Sequence, residues 1–111
     1  MTDSRRRLTV HVLDMARGLP AAGMALNLNR DGEVLARRVT NADGRCDSPL
    51  LEGDALRDGI YEITFHVAAW SGDEAGFYDR ITLRFRVDEG TTHLHIPLLL
   101  SPFGYTTYRG S

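Results

Sequence analysis

Apolar and polar residues alternate with period two over much of the chain, the pattern of strands with one buried and one outward face. In RITLRFRV, from Arg80 to Val87, Ile81, Leu83, Phe85 and Val87 fall on one face and Arg80, Thr82, Arg84 and Arg86 on the other. IYEITFHV repeats the pattern, with Tyr61, Ile63, Phe65 and Val67 predicted inward and Glu62, Thr64 and His66 outward. MALNLNR and DGEVLARRV read as two strands joined at Asp31-Gly32, a dipeptide suited to a tight hairpin. Asp43-Gly44 and Asp58-Gly59 mark further turns. Only AAWSGDEAGF, between two strands, is able to hold a helix, and its two glycines limit it to a turn or two. Short strands at near-regular spacing predict an all-β fold: a two-sheet antiparallel β-sandwich with one short helix.

The same alternation sorts the polar residues at the two ends of the chain. In LTVHVLD, Leu8, Val10 and Val12 share one face, which sends Thr9, His11 and Leu13 to the other. In THLHIPLLL, Leu94, Ile96 and Leu98 form the apolar set, and His93, His95 and Pro97 point outward. If these strands are neighbours in one sheet, His11 and His95 lie close together on its outer face.

Composition narrows the class. The 111 residues suit one domain, spanning 1–111, and 13 Lys plus Arg against 15 Asp plus Glu leave a charge of −2. No global basic field is available to hold nucleic acid or an anionic membrane surface, so neither partner is expected. The one cysteine, Cys46, has no internal disulfide partner, no apolar run reaches bilayer length, and MTDSRRRLTV lacks the apolar core of a signal peptide. A reduced, cytoplasmic protein is expected.

Taken singly, each outward histidine is ordinary surface, and Arg45 behind its turn is an ordinary loop arginine. His93 and His95 with His11 could hold zinc, but no cysteine or carboxylate stands at a further ligand spacing, so no metal is expected. Cys46 lies in no recognisable Cys/His constellation and reads as a small, half-buried residue rather than a nucleophile.

Three stretches carry more than periodicity: LTVHVLDMARGLPAAGM, TNADGRCDSPL and HLHIPLLLSPFGYTTYRGS. They resemble the signature regions of the 5-hydroxyisourate hydrolase family, the enzymes related to transthyretin. The similarity runs in register over nearly the whole chain, and the terminal YRGS is its most specific part. Thr106 stands where the family commonly has serine, which keeps the hydroxyl. The resemblance implies a transthyretin-like sandwich of seven or eight strands and one short helix, assembled as a homotetramer from two dimers. Its active sites would lie at the mouths of a central channel lined by outer sheet faces. It further implies that 5-hydroxyisourate is hydrolysed to 2-oxo-4-hydroxy-4-carboxy-5-ureidoimidazoline in urate degradation, with no cofactor and no metal.

The alternative is a transthyretin-like carrier without catalysis, because carriers share the fold. The resemblance separates the two by side chain: carriers have lysine, glutamate and threonine at the positions of His11, Arg45 and His95, and they lack the YRGS ending. The implied catalytic set is His11, Arg45, His95, Tyr108 and Ser111, with His11, Arg45 and Tyr108 touching substrate. Opening an amide ring with water needs a base near neutrality, which suits either histidine. It also needs fixed positive charge for the developing oxyanion, which suits the planar fork of Arg45. Tyr108 offers a phenol or a ring wall, and Ser111 a hydroxyl and the terminal carboxylate.

Overall fold

The computed structural model describes residues 5–72 and 76–110. Nine strands occur among these residues: β1 Arg7–Asp14, β2 Leu19–Pro20, β3 Ala25–Arg30, β4 Glu33–Val39, β5 Leu51–Glu52, β6 Gly59–Phe65, β7 Ile81–Val87, β8 His93–Ser101 and β9 Gly104–Thr107. The number exceeds the seven or eight implied because β2 and β5 are two-residue pieces along one edge of β1.

The strands form two sheets, β2-β1-β8-β9 with β5 also on β1, and β4-β3-β6-β7. The expected sandwich is present. The second sheet is antiparallel throughout, whereas the central pair of the first, β1 with β8, is parallel. That pairing sets Leu8, Val10 and Val12 beside Leu94, Ile96 and Leu98, all buried against Leu26, Leu28, Tyr61, Ile63 and Phe65 from the facing sheet. Each such side chain contributes about 1.5–3 kcal/mol by leaving water, so the inward set holds the sheets together.

Asp31 and Gly32 adopt φ of 52° and 80°, the left-handed pair that lets β3 turn directly into β4. The buried phenol of Tyr61 accepts from the Arg57 N–H at 2.9 Å and from Arg30 Nη1 at 3.0 Å, and donates to the Arg57 carbonyl at 2.8 Å.

Three expectations need correcting in detail. Strand β6 ends at Phe65, and Val67 is the first residue of the helix α1, Val67–Ser71, where it is still buried. The helix stops at Gly72, whose N–H reaches the Ala68 carbonyl at 3.1 Å with φ at 61°. Residues 73–75 of the predicted helical stretch lie outside the described residues. Leu83 and Phe85 face inward but are only half-buried, because β7 is an edge strand. Pro97 keeps its outward parity but is buried, set between His11 of β1 and the end of β9, where Thr107 Oγ1 donates to its carbonyl at 2.8 Å. No helix among the described residues is long and apolar enough to cross a membrane.

Candidate active site

The outer face of the first sheet gathers the candidate residues because β1 and β8 run parallel in register. Thr9 sits beside His95 and His11 beside Pro97, so the two histidines are diagonal neighbours with ring centroids 6.4 Å apart. The expected proximity of His11 and His95 is therefore present.

Arg45 arrives from the other edge of β1. That edge is occupied by β5 at Arg7 and Leu8, by β2 at Leu13 and Asp14, and between them by a bridge pairing His11 with Arg45. The loop that carries Arg45 is tied down by backbone: the Asn41 N–H donates to the Arg45 carbonyl at 2.7 Å, and the Val12 N–H to the Gly44 carbonyl at 2.8 Å. The Asn41 side chain accepts from the N–H groups of Asp43 at 2.9 Å and Arg45 at 3.2 Å. Gly44 has φ of 72°, and a Cβ there would collide with the Val12 carbonyl. Only glycine lets the loop lie this close to β1 and bring Arg45 opposite His11.

Beside these residues opens a cavity of about 510 Å³ lined by Arg7, Thr9, Arg45, Cys46, His93 and His95, among others. His11 borders this group without lining the cavity itself. Behind His95 runs the chain terminus, where the Gly110 N–H donates to the His95 carbonyl at 2.7 Å. A Cβ on Gly110 would come within 2.9 Å of His95 Cδ2, so the terminal backbone is packed directly on the imidazole. The ring's opposite edge is held by Thr9, whose Oγ1 lies 2.8 Å from His95 Nδ1 and 3.0 Å from His93 Nε2.

Tyr108 is not brought to this cavity within one chain. It is 57 % exposed and lines a separate groove of about 430 Å³ with Phe85, Ile96 and Arg109. Ser111 lies outside the described residues. Periodicity placed Thr9 outward but gave it no task, and Gly110 and Gly44 carry no side chain to signal one. Their parts depend on which strand and loop lie next to β1, and that information is absent from any single segment.

Electrostatics favours neutral imidazoles. Burial lowers the His95 pKa below the ordinary 6.5, and the positive charges of Arg45, His93 and His11 act in the same direction. Burial and then Arg45 also lower His11, opposed by a backbone hydrogen bond with Asp43 and by the Asp43 carboxylate. Both rings therefore carry an available nitrogen lone pair at pH 7. Burial pushes the Cys46 thiol up, partly offset by Arg38, which keeps it protonated and a poor nucleophile. Among the described residues no cluster of three or more His, Cys, Asp and Glu is placed to hold a metal ion. The arrangement offers two neutral imidazoles beside a cavity that Arg45 and Arg7 line with permanent positive charge, the kinds of group needed to add water to a carbonyl.

Residues 8–110 match the sequence profile of the HIUase/Transthyretin family. The chain belongs to that family. It is 47% identical over 113 aligned positions to the 5-hydroxyisourate hydrolase of Deinococcus radiodurans, with 94% of this chain and 95% of that protein covered. The solved structure of 5-hydroxyisourate hydrolase from Klebsiella pneumoniae superposes with a TM-score of 0.85 at 38% identity, covering 96% of this chain and 99% of that one. Sea bream transthyretin in complex with thyroxine superposes with a TM-score of 0.85 at 31% identity, over 94% of each chain. Proteins named as hydrolase and as transthyretin thus share this sandwich, and fold alone does not separate them.

Proposed function

We infer that this chain is a 5-hydroxyisourate hydrolase of urate degradation, opening a ring amide with water to give 2-oxo-4-hydroxy-4-carboxy-5-ureidoimidazoline. The observation that carries the reading is the convergence of His11, His95 and Arg45 on one outer face, in a chain whose relatives named as hydrolases match it nearly end to end. A neutral histidine takes a proton from water as the oxygen attacks the amide carbon. The Arg45 guanidinium orients the carbonyl and stabilises the oxyanion, keeping its charge throughout. The proton then passes to the departing ring nitrogen. Water attacks directly, without an acyl-enzyme, in keeping with the protonated Cys46 thiol. In this reading Tyr108 contributes its phenol as donor or ring wall, and Ser111 its hydroxyl.

Running the reaction in ¹⁸O-water tests the chemistry. The rate at which one label enters the new carboxylate, read by mass spectrometry, rises in proportion to added protein. A labelling rate equal to that of the spontaneous reaction means that the chain binds without catalysing, as a carrier would.

The working form is a homotetramer, a dimer of dimers, in which the outer faces of opposed pairs enclose the site. Leu19, 58% exposed, and Phe103, 77% exposed, offer apolar surface that assembly would cover. Static light scattering gives four chain masses on this reading; a stable, fully active monomer contradicts it.

A further inference from the structure

We propose that Thr9 is a positioning residue for the hydrolysis, joining His93 and His95 into a relay that sets which nitrogen of His95 carries the proton. The proposal rests on the hydrolase reading and deepens it. Thr9 Oγ1 lies between two ring nitrogens, His95 Nδ1 at 2.8 Å and His93 Nε2 at 3.0 Å. A hydroxyl has one proton to give and can accept. It donates to only one of these rings, and the other ring must donate to it.

The two ways of satisfying this rule give His95 opposite tasks. When Thr9 donates to His93 Nε2, His95 donates from Nδ1 and its Nε2 is an open base. When Thr9 donates to His95 Nδ1, His93 donates from Nε2 and His95 Nε2 keeps its proton as an acid. Catalysis needs both in turn. Starting from the first state, with His93 neutral and protonated at Nδ1, His95 Nε2 takes the proton from the attacking water. The Nδ1 proton then moves to Thr9, and the Thr9 proton moves to His93 Nε2. His95 is left neutral and protonated at Nε2, Thr9 is again a hydroxyl, and His93 holds the positive charge. As His95 gives its Nε2 proton to the departing nitrogen, the two shifts reverse in the same step and return a proton to Nδ1, so no imidazolate forms and the starting state is restored. No proton is gained or lost over the cycle except by water and product.

The ring is also held against a flip that would break this chain of bonds. Gly110 packs on Cδ2, the carbon that would trade places with Nδ1, and its N–H is tied to the His95 carbonyl. Among the described residues, the titratable and charged groups around His95 are Arg7 and His11 on β1, Arg45 and Cys46 in the loop, and His93 on β8. Burial and the nearby Arg45, His93 and His11 disfavour a positive charge on the His95 ring, and a relay through Thr9 hands that charge on.

The test compares wild type with Thr9→Val, which keeps the branched strand side chain without the hydroxyl, with Thr9→Ser, which restores it, and with His93→Leu, which removes the far acceptor. Two readouts are taken: steady-state kinetics on hydroxyisourate generated in place, and imidazole ¹⁵N shifts, which report the protonated nitrogen without any turnover. Thr9→Val is expected to lower kcat about tenfold or more with KM within about twofold, and Thr9→Ser to recover most of it. The spectra should show His95 protonated at Nδ1 in wild type and in Thr9→Ser, and shifted away from that tautomer in Thr9→Val and His93→Leu. Wild-type kcat and tautomer in Thr9→Val, or no recovery in Thr9→Ser, overturns the proposal. If Thr9→Val does not fold, His93→Leu decides by the same spectrum: an unchanged His95 tautomer overturns the relay, and a changed one supports it. A wild type that fails to hydrolyse hydroxyisourate removes the hydrolase reading, while the spectra still decide the Thr9 assignment.

Discussion

Alanine at Arg45, His11 or His95 is expected to lower kcat/KM for hydroxyisourate by about 10²-fold or more, the scale of losing a general base or an electrostatic stabiliser. In free energy this is about 2.7 kcal/mol of transition-state stabilisation. The fold should scarcely register the changes. The Arg45 side chain is exposed, and what anchors its loop is backbone bonding to Asn41 and Val12, which alanine leaves in place. His11 and His95 are half-buried on an outer face, not in the core, so their loss opens no interior cavity. A melting temperature within a few degrees of wild type beside a steep fall in kcat/KM is the expected pair of results. Wild-type activity in any one variant removes that residue from the catalytic set.

The second large effect is expected from deleting Tyr108 to Ser111. The core residues of β1, β3, β6 and β8 all precede the cut, so the shortened chain should fold and assemble. What it loses is the bond from the Gly110 N–H to the His95 carbonyl and the backbone packed on the His95 ring, together with the Tyr108 phenol and Ser111. A ring freed on one edge samples more orientations, and if His95 works through Nε2 as proposed, kcat/KM should fall by at least about 10²-fold. Measuring kcat/KM, tetramer content and melting temperature on the same sample separates the outcomes. Full activity in a truncated tetramer would make the ending a dispensable tail. Loss of the tetramer would make it a structural clasp, with its catalytic part unproven.

For β1 and for most of β8, alternation alone assigns the inward and outward faces, because a side-chain period of two is a local property of an extended chain. Leu8, Val10, Val12, Leu94, Ile96 and Leu98 all lie inward, and His11, His93 and His95 all lie outward as that period requires. Partnership between strands is not local. The parallel register of β1 with β8 decides that His11 and His95 are diagonal neighbours and that Thr9 lies against His95, and neither segment contains that information by itself. The same holds for the Arg45 loop, whose place depends on a glycine fitting under the Val12 carbonyl. Val67 shows the converse failure: its inward parity suited a strand, but the chain turns into a helix after His66 and buries it from there. The resemblance implies that Tyr108 belongs to the site of His11 and His95, whereas within one chain it lines another groove.

Hydroxyisourate decays spontaneously in water, and the most direct measurement is its ultraviolet decay, with the compound generated in place by urate oxidase, in the presence and absence of this protein. The decay rate should rise in proportion to the amount of wild-type chain added, and fall back to near the spontaneous rate when the same amount of the Arg45→Ala variant replaces it. A decay rate that wild-type protein leaves unchanged would contradict the hydrolase account and return the chain to the carrier reading.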